Sequence, residues 1–344
     1  MWLPLQGDLC INNRPRSLLL RCEAHAIESS PPYLMNLVVR LATGLEKISA
    51  DERERSSRFF LSQQQADGGF CGRAGGSDLY YTAFALRGLA ILGCDDEPMA
   101  ERAAQYLRSQ LQQSVGILDL ISLIFAARLL ESWRGESIFA DVAKNWTNSV
   151  ANLFETHRRP DGGYAKTHEG HASSTYQTFL ISLAYELLEL PLPEPGQAAE
   201  FLLGQQRDDG GFVEIGVMRR SGTNPTAAAV GGLLVLQAQV GQPFLTDQLS
   251  QEVAGFLLDN ITDEGGLRAN TQIPIADLLS TYTGLQTVRD VGGWGKVDIG
   301  ATQKFVASLQ QASGGFLAAA WDDSADVEYS FYGTALRGLL LSDG

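Results

Sequence analysis

Few residues of this chain sit where their types and spacing could do chemistry. Asp326-Val327-Glu328-Tyr329 places two acids, Asp326 and Glu328, at the opening of the last apolar stretch. Acids at a helix start ordinarily cap it and are favoured by its dipole; the other reading is a carboxylic acid that hands over a proton. Just upstream, Asp322-Asp323-Ser324-Ala325-Asp326 has a spacing with which a helix can chelate magnesium, but it follows a glycine turn in a loop, which favours a chance match. His168 and His171 flank Glu169 three residues apart, so two rings could reach one metal, yet no third ligand lies in sequence reach and metal binding is not expected. Cys71 has only Arg73 as a neighbouring cation, too little to argue for an activated thiol.

Aromatic residues recur at the starts of apolar stretches: Tyr80, Tyr81 and Phe84, then Tyr176 and Phe179, then Tyr282, then Phe331 and Tyr332. Around a cavity they would hold an apolar ligand, and their ring faces would stabilise a cation. The same residues would serve equally as packed core.

The elements that must position these groups are repeated. Asp67-Gly68-Gly69-Phe70, Asp161-Gly162-Gly163-Tyr164, Asp209-Gly210-Gly211-Phe212, Glu264-Gly265-Gly266-Leu267 and Ser313-Gly314-Gly315-Phe316 are five versions of one turn, spaced by 94, 48, 55 and 49 residues. The first gap is two repeats long, and its midpoint falls on Ser114-Val115-Gly116-Ile117, a degraded sixth copy. Upstream of the turns run segments such as Phe60-Leu61…Gln64-Gln65 and Phe201-Leu202…Gln205-Gln206; downstream, after a loop, come stretches apolar nearly all round, such as Leu79–Leu92 and Ser174–Leu188. By contrast, Met99–Gln113 is amphipathic. Each repeat therefore pairs an outer helix with an inner one. Leu190-Pro191-Leu192-Pro193-Glu194-Pro195 and Gly241-Gln242-Pro243 separate repeats rather than domains.

Composition narrows the function. A net charge of −14 disfavours nucleic acid and anionic lipid as partners, and no apolar run approaches the roughly 20 residues of a membrane span. No secretory signal is read at the N-terminus, and Cys10, Cys22, Cys71 and Cys94 form no CxxC pair, so reduced thiols in a cytoplasm are the expectation.

The pattern Phe-Leu-x-x-Gln-Gln…Asp-Gly-Gly-Phe, followed by Asp78-Leu79-Tyr80-Tyr81-Thr82-Ala83, resembles the repeat of protein prenyltransferase β subunits and squalene-cyclase-type terpene cyclases from about Arg55 onward. The resemblance implies an all-α fold, an α/α toroid of about six helix pairs whose inner helices line a cavity for an isoprenoid chain. Residues 1–33 are expected to form an N-terminal arm and 34–344 the toroid. Glu169-Gly170-His171-Ala172…Tyr176 is similar to the stretch in which the family's His contacts the diphosphate, and Arg219 falls at a diphosphate-binding Arg, with Arg220 nearby. The zinc ligands do not carry over. Pro225 stands where Asp is expected, Ala227 where Cys is, and the late His would fall near Phe331; neither Pro nor Ala can ligate zinc. No cofactor is therefore expected, and cysteine alkylation through zinc is disfavoured.

The leading expectation is a prenyltransferase-β-like protein that binds an isoprenoid diphosphate, or another prenyl lipid, with His171, Arg219 and Arg220 at the head. Tyr81, Phe84, Tyr176, Phe179, Tyr282, Phe331 and Tyr332 would surround the tail. Class II cyclases protonate an alkene from an Asp-x-Asp-Asp motif, so a small terpene cyclase using Asp326 or Glu328 is one alternative. A non-catalytic lipid-binding or interaction scaffold is the other.

Overall fold

The turn at Asp161-Gly162-Gly163-Tyr164 shows how each repeat is built. Gly162 has φ +88°, the left-handed region that glycine enters without cost. Asp161 then accepts the Gly163 N–H at 3.1 Å and the Ser173 hydroxyl at 2.6 Å. The Tyr164 N–H donates to Thr178 Oγ1 at 3.0 Å, tying the turn to the following inner helix. The same bond joins Phe70 to Thr82, Phe212 to Thr226, Leu267 to Thr281 and Phe316 to Ser330. The stretches between turn and helix, expected as plain loops, fold back in short β bridges; the longest pairs Tyr164–Ala165 (β1) with Ser173–Ser174 (β2), antiparallel.

A computed structural model describes residues 32–113 and 116–342, and among them thirteen α-helices. The inner helices are α3 (Leu79–Ile91), α5 (Ile117–Arg134), α7 (Thr175–Leu187), α9 (Thr223–Val240), α11 (Leu278–Asp290) and α13 (Val327–Leu341). Each follows an outer partner: α2 (Ala50–Ser62), α4 (Glu97–Gln110), α6 (Trp146–Glu155), α8 (Pro195–Leu203), α10 (Asp247–Asp259) and α12 (Ile299–Leu309). The difference is legible in composition: α3 buries residues around its whole circumference, whereas α2 buries only Ser56, Ser57, Phe59 and Phe60. Ser114 and Val115 of the degraded sixth turn lie outside the described residues; Gly116 caps α5.

Each inner helix packs on the next, and α13 returns to α3, which closes the ring. The turns close it too. A Cβ placed on Gly162 would stand 2.4 Å from the carbonyl oxygen of Gln197 in the next outer helix, and one placed on Gly314 would stand 2.4 Å from that of Arg55 in the first. Across this seam Arg73 pairs with Asp322 and Asp326, and Arg337 with Glu52 at 2.7 Å.

The N-terminal arm falls outside the described residues, except for its last two. From Tyr33 a further helix, α1 (Tyr33–Leu45), belongs to no pair and crosses the C-terminal ends of the inner helices. Its first N–H donates to the Glu186 carboxylate at 3.0 Å, the Tyr33 hydroxyl donates to Asp290 at 3.3 Å, and Arg40 pairs with Asp290 at 3.0 Å. Gly44 and Gly338 let α1 and α13 approach backbone to backbone. Among the described residues no helix is long and apolar enough to cross a membrane.

Candidate active site

The six inner helices begin at one level, so their second residues, Tyr80, Leu118, Tyr176, Asn224, Leu279 and Glu328, form a ring at the mouth of a central cavity of about 450 Å³. Helical periodicity stacks further rings below it. One turn down lie Phe84, Phe179, Ala227, Ala228, Tyr282 and Tyr332; two turns down lie Arg87, Phe125, Leu183 and Gln286; and Tyr33, Leu34 and Leu37 of α1 make the floor. The volume lies within the roughly 300–1,000 Å³ of small-molecule sites. Apart from one acid in the first ring and one base in the third, the described residues of the lining are uncharged.

The acid is Glu328. Its carboxyl accepts the Tyr80 hydroxyl at 2.8 Å and the Tyr332 hydroxyl at 3.3 Å. Burial raises its pKa above the usual carboxylate range; the nearby charge of Asp326 adds to this, and the two tyrosine bonds and Arg73 offset it only in part. The tyrosines are pushed above their ordinary value in turn, by burial and by Glu328, and so stay protonated donors.

Asp326 has a different office. It is the N-cap of α13, accepting the Tyr329 N–H at 2.8 Å, and it receives Arg73 Nε at 2.8 Å. Asp78 and Asp277 cap α3 and α11 in the same way. Asp326 does not line the cavity, so of the two acids only Glu328 reaches it. Asp322 of the Asp-Asp-x-x-Asp stretch lies in a loop bound to Arg73, not on a helix face.

His171, Arg219 and Arg220 are exposed on the loops before α7 and α9 and do not line the cavity. Those loops adjoin, since the Thr175 N–H donates to the Glu214 carbonyl at 2.9 Å. His168 turns the other way, its Nδ1 lying 3.2 Å from the Thr156 carbonyl oxygen. Among the aromatic residues, Phe84, Phe179, Tyr282 and Tyr332 line the cavity, and Tyr176 does so at the mouth while 42% exposed. Two do not. Phe331 is fully buried behind the wall, and Tyr81 is half-buried, edge-on to Tyr80 and beside Gly72. Where the family's zinc ligands would sit, Pro225 and Ala227 offer no donor, and among the described residues no three His, Cys, Asp or Glu side chains converge. The site does not fit that metal.

Sequence reasoning passed over Arg87. It is the single charge in an otherwise apolar inner stretch, seven residues beyond Tyr80 and hence on the same face of α3.

The sequence matches the family model of the prenyltransferase alpha-alpha toroid domain over residues 20–224 and 229–343. The chain belongs to this family. Among solved structures, this toroid is similar to Candida albicans protein geranylgeranyltransferase-I complexed with GGPP (TM-score 0.65, 14% identity, 83% of this chain and 90% of that one). It is also similar to the type II terpene cyclase MstE from Scytonema in its apo form (TM-score 0.55, 16% identity, 87% and 98%). A possible member of the GH105 family from Klebsiella pneumoniae matches as well as the cyclase does (TM-score 0.56, 14% identity, 86% and 93%). No curated protein matches the sequence significantly. At such identities the likenesses show the fold alone, and three different labels on one toroid leave the chemistry to the site.

Proposed function

We propose that this toroid binds a prenyl-type hydrocarbon in its central cavity and acts on it as a small terpene cyclase, with Glu328 as the proton donor. One observation carries the reading: a carboxyl with a raised pKa, hydrogen-bonded by Tyr80 and Tyr332, is the sole acid among the described residues that line an aromatic cavity. A solved relative of the same fold is a type II terpene cyclase bound to geranylgeranyl dihydroxybenzoate, and another is bound to GGPP, which supports a prenyl chain as cargo. Burial favours the protonated form of Glu328; it also makes the carboxyl a weaker acid, so the aromatic walls must stabilise the cation that forms. In the reaction a Glu328 O–H bond breaks as a C–H bond forms at a terminal alkene. The next double bond attacks the resulting cation, a proton leaves in the last step, and Glu328 recovers a proton through the mouth. The net change is an isomerisation.

A second reading, the transferase one, draws on a separate observation. His171, Arg219 and Arg220 are exposed on two adjoining loops, together with Lys166, which pairs with Glu214 at 3.6 Å; these bases on an acidic protein suit a diphosphate. Incubation with prenyl diphosphates and with prenyl chains lacking diphosphate separates the two. Cyclised product with every phosphate retained, or from a chain that has none, supports the cyclase; release of diphosphate supports the transferase; binding without turnover leaves a lipid-binding scaffold.

A further inference from the structure

Arg87 stands two helical turns below Tyr80 on α3, about 10 Å deeper in the cavity at 1.5 Å per residue. No carboxylate pairs with it among the described residues. Its neighbours are rings: its Cζ lies 5.1 Å from the centroid of Phe84, 5.1 Å from that of Phe125 and 4.0 Å from that of Phe331. Aromatic faces hold the charge in place, yet they leave the planar N–H fork of a guanidinium without acceptors. Two polar atoms of the lining, one in the ring above Arg87 and one in its own ring, lack partners. Tyr282 is 4% exposed and its hydroxyl is unbonded; Gln286 is 5% exposed and its Oε1 is unbonded, while its Nε2 donates to Asp290 at 2.9 Å. Both line the same cavity as Arg87.

A half-buried cation with free donors, beside a buried free hydroxyl and a buried free carbonyl, is incomplete without a ligand, because a buried polar group left without a partner is destabilising. The geometry points to an anion-binding subsite at the deep end of the cavity, in which Arg87 and the Tyr282 hydroxyl donate to a carboxylate or phosphate on the lipid and Gln286 Oε1 accepts from a ligand hydroxyl where one is present. The inference rests on the cavity being the lipid site, and it fixes the ligand's direction. The head goes down to Arg87, and the tail comes up to Glu328 in the first ring. This arrangement also removes a conflict in the chemistry. A carbocation formed beside an uncompensated guanidinium would be repelled, whereas an anion bound there neutralises the charge.

Calorimetry with three ligands of one chain length tests this: a prenyl alcohol, the matching prenyl carboxylic acid and the matching prenyl monophosphate. In the wild type, the acid or the monophosphate binds at least tenfold more tightly than the alcohol, and whichever does so identifies the head. Arg87→Met removes that preference and leaves the alcohol within about threefold of wild type. Tyr282→Phe, which deletes only the hydroxyl, reduces the preference without touching the packing and serves where Arg87→Met fails to fold. His171→Ala with Arg219→Ala leaves the preference intact. If the alcohol binds and neither anion binds better, or if the preference survives both Arg87→Met and Tyr282→Phe, the subsite is wrong while the cavity stands. If no ligand binds, both fall.

Discussion

Tyr80 and Glu328, 248 residues apart in the chain, meet at 2.8 Å across the seam where the last inner helix returns to the first. One of the bonds across the seam is thus also a bond that holds the proposed acid. Glu328→Gln keeps shape and hydrogen-bonding capacity but has no acidic proton. It should lower cyclisation by about 10²–10⁴-fold, the usual worth of an acid–base group, and leave binding of the chain nearly unchanged. Product analysis by mass spectrometry beside a binding isotherm checks both.

The pH dependence follows from the same carboxyl. Its pKa in the folded protein lies above the ordinary 4.5, so activity should fall as pH rises through the raised value. Between the two values the folded chain keeps a proton that the unfolded chain has released, so stability also declines as pH rises across that window. Melting curves of wild type and Glu328→Gln from pH 4 upward should differ in slope there. Parallel curves would show that Glu328 ionises normally.

Ala227, whose place the zinc enzymes give to Cys, faces the second ring of the cavity. Ala227→Phe should fill space that a long tail needs. Affinity for the longest accepted prenyl chain is expected to drop about tenfold or more with little change for the shortest, as read by competition binding across chain lengths.

The turn glycines carry a steric prediction. Gly162→Val places a β-branched residue at φ +88° with its Cβ 2.4 Å from the Gln197 carbonyl, which should destabilise by about 1–2 kcal/mol at the least. Gly196, within α8 and with no neighbouring atom in reach of a Cβ, is the control: Gly196→Ala should be neutral or slightly stabilising. Thermal melts of the two variants are the comparison.

The seam is held by Arg73. Asp322 and Asp326 have side chains only 4% and 6% exposed, but Arg73 itself is 38% exposed, so Arg73→Ala should cost about 1–3 kcal/mol, less than the 3–5 of a fully buried pair. Although burial opposes it, the Arg73 bonds hold Asp322 below its ordinary 3.8. The stability this lends is present above that value and disappears as pH falls through the lowered one. The gap between the urea curves of variant and wild type should therefore narrow in acid.

Much of the fold was written locally. The acidic-Gly-Gly-aromatic turn, the alternation of amphipathic and wholly apolar stretches and the positions of Leu79–Leu92 and Ser174–Leu188 all follow from short-range preferences, and the helices observed begin within a residue of those two stretches. What the sequence could not give was direction. Ala85-Leu86-Arg87-Gly88-Leu89 and Ala335-Leu336-Arg337-Gly338-Leu339 are the same five residues, in the first and last inner helices. Arg87 follows its N-cap, Asp78, by nine residues, whereas Arg337 follows Asp326 by eleven. Two residues turn a helix by about 200°, so Arg87 faces the cavity and Arg337 reaches out to Glu52. Likewise Asp326 and Glu328 are neighbours in sequence; only the ring, by setting which face of α13 looks inward, makes one a cap tied to Arg73 and turns the other toward Tyr80 and the cavity.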